Sequence, residues 1–216
     1  MRIIKYRKSE EVLNIATHIL GFILTLIFFI PVVVEAYRDK DVLVFLAWTI
    51  YFIAISIMFL SSSLYHAMNN PLVRTVFRAI DHGVIYLTIA GSYTPVILIG
   101  LRTTVAIGIF CLIWILALIG ITMNIIAFIT GKEDKVSKAS MIIYMTMGWI
   151  SLFLISQIYK YIGISYILFL VLGGLLYTIG AIFYSIKKIP YNHTIWHIFI
   201  LLAAFVMFYG NYKFLG

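Results

Sequence analysis

The chain has very little charge for its size. Only 11% of its 216 residues are Asp, Glu, Lys or Arg, whereas soluble proteins carry about 25%. With 63% hydrophobic residues and a mean hydropathy of +1.08, an integral membrane protein is expected. Cysteine is almost missing as well. The single Cys111 lies within an apolar stretch, which excludes an internal disulfide and gives no reading of redox compartment. There is no low-complexity segment, no internal repeat and no room for a second domain, so residues 1–216 read as one membrane domain. A cleavable leader is not expected: the basic start from Arg2 to Lys8 is followed by an apolar run of about 23 residues without a small-residue cleavage site, against roughly 7–15 in a signal-peptide core. The net charge of +8 is scattered over short loops with no continuous basic stripe. That argues against nucleic acid and for the anionic lipid surface as its partner.

What is present is a series of spans of about 20 residues with few or no formal charges. They fall near Asn14–Ala36, Val42–His66, Thr75–Gly100, Thr103–Thr130, Ala139–Tyr159, Ile164–Ile186 and His193–Tyr212. The expected fold is therefore all-α, a bundle of seven transmembrane helices joined by short charged loops. Pro31 and Pro95 fall inside spans and are expected to kink them. Orientation follows from the basic residues. One side carries Arg2, Lys5, Arg7, Lys8, Arg74, Arg78, Lys132, Lys135, Lys138, Lys187 and Lys188, eleven in all, and the other carries five: Arg38, Lys40, Arg102, Lys160 and Lys213. The positive-inside rule then places the N-terminus in the cytoplasm and the C-terminus outside. This is the opposite sense to rhodopsin-like receptors, and the expected location is the plasma membrane.

The last span opens with Pro190-Tyr191-Asn192-His193-Thr194-Ile195-Trp196-His197. Imidazoles four residues apart lie one above the other on a single helix face, about 6 Å along the axis, a spacing at which both reach one metal ion. A third ligand must come from elsewhere. His66 ends the second span at the same predicted depth, with Asp81 near the start of the third and Ser62 one turn before His66. Polar groups at that depth each cost about 2.5–3.5 kcal/mol on insertion scales. A shared zinc ion, worth roughly 10–16 kcal/mol in structural sites, offsets that cost. Each residue also has a plainer reading. An H-x-x-x-H pair near the headgroups is often satisfied by water or lipid phosphate, Ser62 can bond back to the carbonyl of Met58, and Asp81 can pair with Arg78. A run of about 20 uncharged residues after Asp81 favours an inward-facing carboxylate that orients a ligand or a water. His82 points about 100° away from Asp81 and is read as interfacial. Glu11, Asn14 and His18 form one polar stripe on the first helix, able to pack against the site and bond its members. His18 as a fourth ligand is the less favoured reading, since three histidines with an open position already make a complete site.

Ser62-x-x-x-His66, Asp81-His82-Gly83 followed by Ala90-Gly91-Ser92-Tyr93-Thr94-Pro95, and His193-x-x-x-His197 resemble the three signature motifs of the hemolysin III family. That family lies within the progestin and adipoQ receptor group, which includes the adiponectin receptors. Glu11, Asn14, Thr17-His18 and Gly21 are similar to the opening motif of its bacterial branch. The resemblance covers the whole chain. It implies seven helices with the N-terminus inside, zinc held by His66, His193 and His197, and Ser62 and Asp81 around it. One departure is visible: bacterial members often carry a histidine-aromatic pair late in the last helix, where this chain has Met207-Phe208.

Three classes of function remain open. In the first, a zinc hydrolase with ceramidase-like chemistry cleaves a lipid amide or ester at the cytoplasmic side, with Asp81 and Ser62 as its catalytic groups. The second is a pore or cytolysin, as the family name implies, although the sequence has no repeated ring of charge and no amphipathic insertion segment. The third is a non-catalytic homeostasis or sensor protein in which zinc is structural.

Overall fold

The computed structural model describes residues 6–216, apart from the side chains of residues 133–135, 137 and 138. Of the basic residues counted above, Arg2 and Lys5 lie outside the described residues, as do the side chains of Lys135 and Lys138. All described secondary structure is helical: α1 Lys8–Arg38, α2 Val42–Ala67, α3 Pro71–Pro95, α4 Thr104–Ile129, α5 Glu133–Trp149, α6 Ile155–Tyr161, α7 Ile164–Ser185 and α8 Asn192–Leu215. Seven segments are long and apolar enough to cross a membrane, α5 and α6 together supplying the fifth. Helices are required here because hydrocarbon offers no partner to a backbone N–H or C=O.

Side chains stop and start these helices at predictable points. Asp41 caps α2 by accepting from the backbone N–H of Leu43 at 2.9 Å and Val44 at 3.2 Å. Asn70 caps α3 in the same way, accepting from Leu72 at 3.0 Å and Val73 at 3.3 Å. Pro71 then takes the first helical position, where its missing N–H is not needed. Thr103 caps α4 through the N–H of Ala106 at 3.2 Å. The two prolines behave differently. α1 continues as α-helix through Pro31, while Pro95 is followed by a π-helical stretch, Val96–Leu101, that carries the third span to its end. A proline ring removes one backbone bond and crowds the preceding turn, and a wider turn is one way to absorb both. The fifth span is broken by a 3₁₀ stretch at Ile150–Leu154, which no proline marks.

Short loops make successive spans antiparallel, and α1 packs on both α2 and α8. α3 touches α2, α4, α5 and α8 and is the most enclosed of the seven spans. The start of α1, the end of α2, the start of α3 and the start of α8 therefore share one end of the bundle. Exposed apolar side chains such as Ile27, Leu118 and Phe153 cover the outside, as expected of a lipid-facing surface.

Small residues let the helices approach. A Cβ placed on Gly91 of α3 would stand 2.6 Å from Cβ of Ala54 on α2, and one on Gly180 of α7 would stand 2.7 Å from Cβ of Phe199 on α8. Gly173, facing Met207 in the same way, also serves packing within the chain, the usual role of small residues in membrane bundles. Gly91→Ala should therefore destabilise the fold by about 1–3 kcal/mol, read as a lower melting temperature of the detergent-solubilised protein. Gly108→Ala is the control: its Cβ meets nothing within 4 Å, and it should be neutral or slightly stabilising. Equal melting temperatures for the two variants would contradict the close α2–α3 contact.

Candidate metal centre

The first turn of α8 is held by α1 and α7. Tyr191, just before it, has φ +57°, a left-handed conformation that side chains seldom adopt. Its hydroxyl lies 2.9 Å from Oγ of Ser9 on α1, and the Asn192 amide donates to the carbonyl of Tyr184 on α7 at 2.8 Å. His193 and His197 follow on one face. His66 comes from the penultimate position of α2, where Asn70, being followed by Pro71, cannot readily extend the helix.

The three imidazoles converge. Nε2 of His193 is 3.1 Å from Nε2 of His66 and 3.1 Å from Nε2 of His197. All three offer ligand atoms within 4.8 Å of one another, and the three residues are 3%, 6% and 2% exposed for His66, His193 and His197. Tetrahedral nitrogen ligation at about 2.0–2.1 Å spaces neighbouring nitrogens about 3.3 Å apart, close to what is seen. The opposite ring atoms agree with ligation. Nδ1 of His66 lies 2.7 Å from Oε2 of Glu11, and the Asn14 amide is more distant from it at 3.4 Å. The proton on Nδ1 therefore goes to the carboxylate, which leaves the Nε2 lone pair for a metal. Nδ1 of His197 donates to the Asn14 carbonyl at 3.3 Å, with the same result. Nδ1 of His193 has no hydrogen-bond partner among the described residues. This donor set fits one metal ion.

The support comes largely from α1. Glu11 reaches His66 with one oxygen and the Arg74 guanidinium with the other, and Arg74 also donates to the carbonyl of Met68 at 3.3 Å. The Asn14 side chain accepts from the Thr194 hydroxyl at 2.5 Å. The polar stripe Glu11, Asn14, His18 thus packs on the three histidines, as its spacing suggested. Arg74, Thr194 and Tyr6 also take part, which no spacing along a single helix predicts. Tyr6 stacks on His193 with ring centroids 4.8 Å apart, and burial pushes its phenol well above the usual range, so the hydroxyl stays neutral. Lys187 lies 3.6 Å over the Tyr184 ring, where burial lowers the pKa of its ammonium.

Beside the histidines lies a cavity of about 50 Å³ whose walls include His18, Ser62, Asp81, His82, His193 and His197. Ser62 of α2 and Asp81 of α3 meet on this wall. The hydroxyl that turns back to the Met58 carbonyl belongs to Ser61, at 3.2 Å. His82, read from the sequence as interfacial, is half-buried and also lines the cavity, because the cavity extends past α3 towards α5 and Tyr144, whose hydroxyl donates to the His82 carbonyl at 2.6 Å. His18 lies outside the converging set and stacks on His197, with centroids 3.7 Å apart and planes 22° from parallel. Neither of its ring nitrogens has a partner among the described residues. An unmet buried polar group costs about 1–3 kcal/mol. A second, largely apolar cavity of about 110 Å³ adjoins the first and shares the walls Met58, Ile85, Tyr144 and Trp196.

Comparison with known proteins agrees with these motifs. The profile of the family described as Haemolysin-III related matches residues 6–208. Hemolysin-3 of Bacillus cereus is 36% identical over 201 residues, covering 93% of this chain and 90% of that protein. The hemolysin-3 homolog of Bacillus subtilis is 32% identical over 201 residues, covering 93% and 92%. The human monocyte to macrophage differentiation factor is 31% identical over 175 residues, covering 78% and 70%. With seven apolar helices and these relatives, the chain is an integral, multi-pass membrane protein that belongs to the hemolysin III family, within the progestin and adipoQ receptor group.

Proposed function

We propose that this protein binds zinc through His66, His193 and His197 and hydrolyses a lipid amide or ester at the cytoplasmic side of the membrane. The observation that carries the reading is the convergence of three Nε2 atoms beside a cavity that also holds a carboxylate. Zinc suits an all-imidazole set, and when bound by three neutral histidines it supplies a Lewis acid with a position open to water at neutral pH. Asp81 accepts a proton from the attacking water and returns it to the leaving amine or alcohol. The water oxygen bonds to the carbonyl carbon, the carbon–nitrogen or carbon–oxygen bond breaks, and a fatty acid leaves with the amine or alcohol. Ser62 holds the Asp81 carboxylate in place. The adjoining apolar cavity, with Val96, Leu170 and Met207 on its walls, suits an acyl chain entering from the bilayer. Because basic residues crowd the end that carries these groups, the positive-inside rule supports a cytoplasmic location for it and for the N-terminus.

A second reading keeps the metal as a clamp without chemistry, and the burial of all three ligands favours it. Removing the metal would then lower the melting temperature while no lipid is turned over. Cytolysis is attached to the Bacillus cereus relative by its name. Dose-dependent leakage of dye-loaded liposomes would move this chain to that class.

Elemental mass spectrometry of the purified protein should give about one zinc per chain, absent from a His193→Ala/His197→Ala variant. A folded protein that holds no metal and takes up none would sink the proposal. Glu11→Gln keeps the shape of the His66 contact but removes its charge, and should weaken zinc about 10–100-fold in a chelator competition. Asp81→Asn should retain zinc while lipid amide turnover falls about 10²–10⁴-fold; turnover unchanged in that variant would take Asp81 out of the reaction.

A further inference from the structure

His18 is a buried group on the cavity wall to which the proposed chemistry assigns no role. It is 2% exposed, it comes from α1 while Ser62, Asp81 and the three converging histidines come from α2, α3 and α8, and both ring nitrogens lack a partner among the described residues. Its ring is fixed rather than loose. One face stacks on His197 at 3.7 Å, and Phe59 meets it edge-on at 5.3 Å. An imidazole held this way is poorly placed to swing onto an ion shared by the other three, and it is not among the atoms that converge.

We propose that His18 is a substrate-binding residue: its neutral imidazole N–H donates a hydrogen bond to the carbonyl oxygen of an acyl amide or ester lodged in the cavity. The substrate class rests on the hydrolase reading above, but the binding role does not require turnover. A neutral imidazole always has one N–H to give, and a buried site built to hydrogen-bond a ligand rejects analogues that cannot answer it. Ser62 and Asp81 line the same cavity, and the proposed chemistry already uses both. His18, on the wall of the polar cavity, has its capacity unspent. Met58 and Trp196 line both cavities, so a chain threaded into the apolar part leaves its carbonyl in the polar cavity that His18 lines.

The test is direct binding of tritiated dodecanamide and of tritiated dodecane to the full chain in detergent, with zinc and after chelation. The unmodified protein should prefer the amide. His18→Phe keeps the stacking and removes the N–H, and should weaken amide binding about five- to tenfold while dodecane binding and zinc content stay unchanged. His18→Gln, which restores a donor, should recover most of the loss and also serves the comparison if the Phe variant does not fold. Amide binding by His18→Phe equal to that of the unmodified chain overturns the assignment. So does loss of zinc from both variants, which would make His18 a ligand. Because binding is measured without turnover, a chain that hydrolyses nothing but still shows the His18-dependent amide preference would refute the hydrolase reading and leave this one standing.

Discussion

Three nitrogen lone pairs aimed at one buried point are the constraint on which the rest depends. Neutral imidazoles about 3 Å apart at Nε2 repel one another if the lone pairs face inward and nothing positive lies between them, and low dielectric makes the repulsion larger. The arrangement is consistent when each Nδ1 carries the proton and a cation takes the three lone pairs. For His66 and His197 the acceptors of those protons are Glu11 and the Asn14 carbonyl, both on α1. A helix that supplies none of the converging nitrogens therefore fixes the tautomers of two residues that do.

That dependence explains features of the bundle that hydrophobic packing alone would not require. α1 must lie against both α2 and α8 at one end, and it does. The Ser9–Tyr191 and Asn14–Thr194 contacts set its height against α8, while Arg74 at the start of α3 ties Glu11 to the end of α2. Arg74 also balances charge. With a guanidinium already on Glu11, His66 need not become an imidazolium to satisfy the carboxylate, and its Nε2 remains a neutral donor.

Periodicity and spacing carried a large part of this. Seven apolar runs predict seven helices, and H-x-x-x-H together with one more histidine at the matching depth predicts which imidazoles meet, because an α-helix turns 3.6 residues at 1.5 Å each. What could not be read are contacts between side chains of different helices. Arg74 looks like a loop cation, Tyr6 like part of a basic leader and Thr194 like filler between two histidines. Each acquires its role from the rotation of one helix against another, which sequence spacing along a single helix does not encode. The 3₁₀ break at Ile150–Leu154 carries no proline; its mark is the Gly148–Ser151 pair, where the Ser151 hydroxyl donates to the Gly148 carbonyl at 3.0 Å. His82 shows the limit from the other direction: a wheel argument separates it from Asp81 by about 100°, yet a cavity can extend around a helix and take both into its wall.

The two carboxylates near the histidines also divide by partner rather than by pattern. Glu11 has one oxygen on Arg74 and the other on His66. Taking up a proton would break one of those charge-assisted bonds in a buried setting, a loss of about 1.5–3 kcal/mol before any chemistry began. Asp81 shares the cavity wall with the Ser62 hydroxyl, which can rotate to donate or accept. A group that must gain and lose a proton needs partners that tolerate both states. Ser62 does so for Asp81, whereas Arg74 does not for Glu11. The orienting role at His66 therefore falls to Glu11, which helix spacing places in a polar stripe, and the proposed proton-carrying role stays with Asp81, which its long uncharged run marks as an inward-facing carboxylate.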